Sequence, residues 1–98
     1  MWSIKYRREA IAELKAAVAW YAERDARVTD RWLDDFELTL ESIRVDPDSH
    51  AVIGNHLRYR QLSSFPYIVV FRTTPHHVVV VAITHTSRDS DVWQSRIE

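Results

Sequence analysis

The sequence predicts an α+β fold in the order β-α-α-β-β-β, with an antiparallel sheet covered on one face by a helical hairpin and a short C-terminal tail. Three observations carry that expectation. Two segments of helical periodicity stand side by side early in the chain, three strand-like segments stand side by side late in it, and the joins are short. Helices and strands that are bunched separately exclude an alternating βαβ arrangement. Ninety-eight residues make one domain, taken as residues 1–98, with enough chain for a single core.

The opening WSIKY alternates Trp2, Ile4 and Tyr6 against Ser3 and Lys5, which predicts a short strand with one buried face. From Arg8 to about Arg24 the period lengthens: Ile11, Leu14, Val18 and Tyr21 form the apolar stripe of a helix. Asp25 is placed to cap a second helix, whose stripe is Val28, Trp32, Phe36, Leu40 and Ile43. Pro47 disfavours helical geometry in the residue before it, so this helix ends by Asp46. The short join makes the two helices antiparallel. Trp20, Tyr21, Trp32 and Phe36 are expected in the core between helices and sheet. Residues 48–56 read as a polar loop around Gly54. LRYRQL, YIVVFRT and HVVVVAITH then read as three strands, joined as hairpins through SSFP and TTPH.

Composition narrows the function. There is no cysteine, hence no disulfide and no thiolate nucleophile or zinc ligand. Gly54 is the only glycine, which excludes phosphate-cradling loops, dinucleotide fingerprints and nucleophile elbows. Neither HExxH nor a comparable spacing occurs, so no metal and no cofactor is expected. His76 and His77 fall at a turn, where strand neighbours point opposite ways. No leader-like or membrane-length apolar run is seen, so a soluble, cytoplasmic protein without membrane contact is expected. Net charge is −1, too little to attract nucleic acid globally. The charge is nevertheless divided: residues 7–46 carry seven Lys/Arg against ten Asp/Glu, whereas residues 57–98 carry five against three.

A helical hairpin shields one sheet face only. By alternation, Tyr59 is expected beside Tyr67, Val69 and Phe71, while Lys5, Arg58, Arg60, Leu62, Ile68, Val70 and Arg72 share the other face. Val78 to Ile83 is apolar on both parities, the pattern of a central strand covered on both sides. An apolar face studded with cations is expected to receive a partner, or to be covered by the C-terminal tail.

FPYIVVFR, a strand ending in VVAITH and the run H-x-x-R-x-x-x-x-W-x-x-R resemble the RelE/ParE superfamily of toxins from bacterial toxin–antitoxin modules, with its ParE-like plasmid-stabilisation branch favoured. The motif residues are Phe65, Pro66 and Tyr67, then His85, Arg88, Trp93 and Arg96; the Trp20-Tyr21 pair and Pro47 fit as well. The resemblance implies a growth-inhibiting toxin with a cognate antitoxin as partner, and with a homodimer as its alternative assembly when antitoxin is absent. Its target would be DNA gyrase, or the ribosome and its mRNA. Target- or antitoxin-binding residues would be Arg58, Arg60, Arg72, His85, Arg88, Trp93 and Arg96.

The branches differ in chemistry. Ribosome-dependent mRNA cleavage needs proton carriers and cations around a developing phosphorane. Here His85 is the credible proton carrier and Arg88 the adjoining cation, so these two are the catalytic candidates only if the protein is a nuclease. Trp93 stands where the resemblance leads one to look for tyrosine, and indole is neither acid nor base near neutrality. Gyrase poisoning without enzymatic activity is therefore the favoured expectation, with the endonuclease as alternative and a non-toxic interaction module as the alternative of another class. A DNA-binding helix-turn-helix is disfavoured by Asp30, Asp34, Asp35, Glu37 and Glu41 on the second helix. Each motif residue also has a structural reading. His85 is a hydrogen-bonded strand end, Arg88 pairs with Asp89 or Asp91, and Trp93 plugs the sheet edge.

Overall fold

A computed structural model describes residues 2–54 and 56–87. Strand β1 (Ser3–Tyr6) leads into helices α1 (Arg8–Ala22) and α2 (Ala26–Val45). A single 3-10 turn, Pro47–Ser49, precedes β2 (Ala51–Gly54), β3 (Leu57–Gln61), β4 (Tyr67–Thr73) and β5 (His77–His85). The expected order is observed with one strand more. β2 was read as loop because its four residues show no alternation, and its pairing with β3 is what makes it a strand.

The sheet order is β1-β5-β4-β3-β2. β5 therefore lies inside the sheet, as its two apolar parities require. The sheet is mixed rather than wholly antiparallel, since β1 pairs parallel with β5 while the other pairs are antiparallel. The physical reason is the helical hairpin, which carries the chain back across the sheet so that β1 meets the last strand.

Helix α2 begins where its cap requires: Asp25 Oδ1 accepts the Arg27 N–H at 2.9 Å. Its stripe buries Trp32, Phe36 and Ile43 against the sheet. In α1 the buried residues are Ala10 and Ala17, with Leu14, Val18 and Tyr21 partly buried against the core, whereas Ile11 is exposed. The main core holds these residues with Leu62, Val69, Phe71, Val78, Val80 and Ile83.

A second cluster lies on the opposite sheet face: Leu57, Val70, Val81 and Ala82 are buried, with Ile53, Tyr59 and Ile68 against them. A register shift between Val70 and Phe71 explains how β5 serves both faces. Val80 opposes Phe71 and Ile83 opposes Val69 on the helical side, so the two residues between them, Val81 and Ala82, both go to the far side. The face expected to lie bare is thus closed over these four side chains. The proposed cover by the C-terminal tail concerns residues outside those described.

Candidate functional site

Ladder register corrects the expected distribution of cations. Arg58 pairs with Phe71 and Arg60 with Val69, while Tyr59 pairs with Val70. Directly opposed residues share a face, so Arg58 and Arg60 lie on the helical flank and Tyr59 on the far flank, the reverse of the alternation expected from sequence. The Arg58 guanidinium is committed to structure, donating to the His50 carbonyl at 2.6 Å. Arg60 is exposed. On the far face, Arg72 and Lys5 flank Val79 on one rung. Arginines expected as one array are therefore split between two surfaces.

Acidic residues are redistributed too. Asp35, expected on the outer surface of α2, is buried and binds the backbone of the β3–β4 turn. Asp30, Asp34, Glu37 and Glu41 remain exposed.

Among the described residues, a groove of about 520 Å³ lies between α1 and the far end of β5. Ala12, Ala16 and Ala17 form its α1 wall, with Trp20 and Tyr21 at one end. Tyr67, Ile83 and His85 form the sheet wall. Small residues on α1 hold the helix surface back and leave the space. Trp20 is half exposed here rather than in the core; Arg24 stacks on its ring at 3.7 Å. Tyr67 is the hub of the aromatic wall, meeting Tyr21, Trp32 and His85 at ring-centroid distances of 6.3, 5.4 and 5.2 Å.

His85 is oriented by its neighbours. The Ser87 N–H donates to His85 Nδ1 at 3.1 Å, and the Ser87 hydroxyl lies 2.8 Å from the same nitrogen. A backbone N–H only donates, so Nδ1 is an acceptor and the neutral ring carries its proton on Nε2. Its one ring lone pair is thereby occupied. Among the expected binding residues, Arg88, Trp93 and Arg96 lie outside the described residues.

The outer edge of β5 completes the site. β1 accompanies β5 only from His77 to Val80, and the Arg7 N–H closes that ladder on the Val80 carbonyl at 2.9 Å. Beyond Val80, among the described residues, no strand pairs with β5 on the side away from β4. Alternate pairs of an antiparallel ladder exchange hydrogen bonds, and the Thr86 N–H bond to the Pro66 carbonyl sets the phase. Ile83 and His85 therefore turn their backbone groups outward. Glu13 Oε1 accepts the outward Ile83 N–H at 3.1 Å. Sequence reading missed Glu13 entirely, for a lone glutamate on an amphipathic helix carries no signal of a strand edge 70 residues away.

Comparison with solved structures gives a likeness of fold to the chromosomal ParDE TA system from P. aeruginosa. Identity is 19%, the TM-score is 0.74, and the match covers 87% of this chain and 96% of that one. No curated protein matches the sequence. A family model, described as ParE toxin of type II toxin-antitoxin system, parDE, matches residues 4–90. That span takes in β1 from Ile4, every later element and both walls of the groove, so this chain belongs to the ParE toxin family of type II toxin–antitoxin systems.

Proposed function

We propose that this protein inhibits growth by poisoning DNA gyrase without nuclease chemistry of its own. A cognate antitoxin neutralises it by occupying the groove between α1 and the outer edge of β5. The observation that carries this reading is the state of His85. A general base needs a free lone pair, and the Ser87 N–H holds the only one on the neutral ring. The cations point the same way. A phosphorane needs several converging on one point, whereas Arg58 and Arg60 lie on one flank and Arg72 on the other. A net charge of −1 is also a poor match to a ribosomal substrate. For the antitoxin, the groove supplies what a peptide ligand uses: an apolar, aromatic wall beside an outward-facing strand edge. The reading places the protein in the cytoplasm, where its target works.

Purified protein tests this directly. With gyrase, supercoiled plasmid and ATP, accumulation of cleaved gyrase–DNA complexes is expected, and translating ribosomes should leave their mRNA intact. Ribosome-dependent cleavage that disappears in His85→Ala would overturn the proposal in favour of an endonuclease. Removal of residues 88–98 is expected to abolish poisoning; a fully active truncated protein would remove the tail from the account.

A further inference from the structure

Lys5 and Arg72 flank Val79 on one rung of the far sheet face, from the strands on either side of β5. Neighbouring strands lie about 4.8 Å apart, so the two backbones are about 10 Å apart with both side chains on the same side of the sheet. Lys5 is exposed, and Arg72 and Val79 are half-buried. The rung is thus outside the closed cluster of Leu57, Val70, Val81 and Ala82. Among the described residues, neither side-chain cation is held by a hydrogen bond or an ion pair. No described strand carries an aspartate or glutamate; the acids of the described residues lie on the helices and connections. A lysine on β1 alone would serve to discourage strand pairing at the sheet edge. Arg72 is on β4, inside the sheet, and has no such use.

We propose that Lys5 and Arg72 form a phosphate-binding site, through which the protein lies against the backbone of the duplex DNA that gyrase holds. The proposal rests on the gyrase reading above and deepens it. The two long side chains close over Val79 onto one phosphate group, the arginine as a planar fork and the lysine as a point charge. The acid-bearing helices are then turned away from the duplex. The uneven charge therefore orients a protein whose net charge of −1 would not by itself attract DNA. Ser3 and His77 share the face one step along. Duplex DNA has no 2′-hydroxyl for that histidine to activate, so the strand is held and not cut. Phosphate contacts carry no base information, so the site is indifferent to sequence. An acidic protein segment is the competing occupant. It would use apolar anchors beside its charges, and the apolar groove lies across the sheet, against α1.

The probe is a fluorescein-labelled duplex of about 30 base pairs and mixed sequence, titrated with the full chain by fluorescence anisotropy between about 50 and 200 mM salt. Lys5→Gln with Arg72→Gln, its fold checked by circular dichroism, should lower the slope of log affinity against log salt by about two and weaken binding about tenfold. Lys5→Arg with Arg72→Lys keeps both charges and should bind within about threefold of the unaltered protein. Lys15→Gln with Arg31→Gln removes as much charge from exposed positions on the helices and should change affinity less than about twofold. A polyglutamate peptide should displace the duplex at least about tenfold less well than unlabelled duplex of equal charge. Absence of duplex binding by the unaltered protein, or equal losses in the two glutamine double variants, would overturn the site. Equal competition by polyglutamate would overturn it in favour of an acidic protein partner. Gyrase poisoning with an unmoved salt slope would sink the site alone, and a lowered slope without poisoning would sink the proposed target alone.

Discussion

Asp35, in the middle of α2, holds Ser63 and Ser64 at the β3–β4 turn: its Oδ1 accepts the Ser63 N–H at 3.0 Å and its Oδ2 the Ser64 N–H at 2.7 Å. One buried carboxylate thereby ties helix to sheet across 28 residues of chain. The same turn leads into Phe65 and Tyr67, which support the groove through Tyr21.

Asp35→Ala removes the acceptor for two amides at once. Hydrogen bonds to charged groups each contribute about 1.5–3 kcal/mol, so a loss of about 3 kcal/mol is expected after the turn takes up water. For a domain this size the midpoint of thermal unfolding should fall by about 15 °C, measured by circular dichroism. A change of under about 4 °C would show that the turn holds without Asp35.

Trp32 is fully buried and, among the described residues, its indole N–H has no hydrogen-bond partner. Trp32→Ala should cost about 4 kcal/mol in urea unfolding, through lost burial and the cavity left behind. Trp32→Phe should cost only about 1 kcal/mol, because it keeps the stacking with Phe36 and removes an unsatisfied polar group. Equal losses for the two variants would mean that the indole N–H is satisfied in solution.

Burial raises the pKa of Tyr6 above its ordinary value of 10.0. Above pH 10 the unfolded chain releases this proton while the folded chain retains it, so the folded state binds more protons there. Stability from Tyr6 is therefore complete below pH 10 and declines as pH rises through the folded pKa. Tyr6→Phe should flatten the alkaline end of the stability curve, read by denaturant titrations across that range. An unchanged alkaline slope would contradict the assignment.

On the gyrase proposal, which asks no proton transfer of His85, His85→Ala is expected to leave poisoning within about threefold of the unaltered protein. Loss of activity by a factor of a hundred, with the fold intact, would restore His85 as a functional group.

Both helices were legible because their signals are local. Asp25 before the stripe and Pro47 after it bound α2 to within a residue, since capping and ring sterics act over a few bonds. The motif from Phe65 to His85, with Arg88, Trp93 and Arg96 after it, was legible in the same way, and it carried the family resemblance. β2 was not, since AVIG has neither alternation nor length.

By itself the sequence determined the α+β order, the two amphipathic helices, the inward position of β5 and the likeness to a toxin family. Only the tertiary structure decided which flank each arginine of β3 occupies, that Asp35 works inside rather than outside, and that Glu13 meets the edge of β5. The physical reason is range. Periodicity is written by backbone geometry within one element. The face a strand presents after a turn is set by register with its neighbour, as the β3–β4 ladder sets it for Arg58 and Arg60, and the β4–β5 shift between Val70 and Phe71, which sends Val81 and Ala82 to one side, is displayed by no window of sequence.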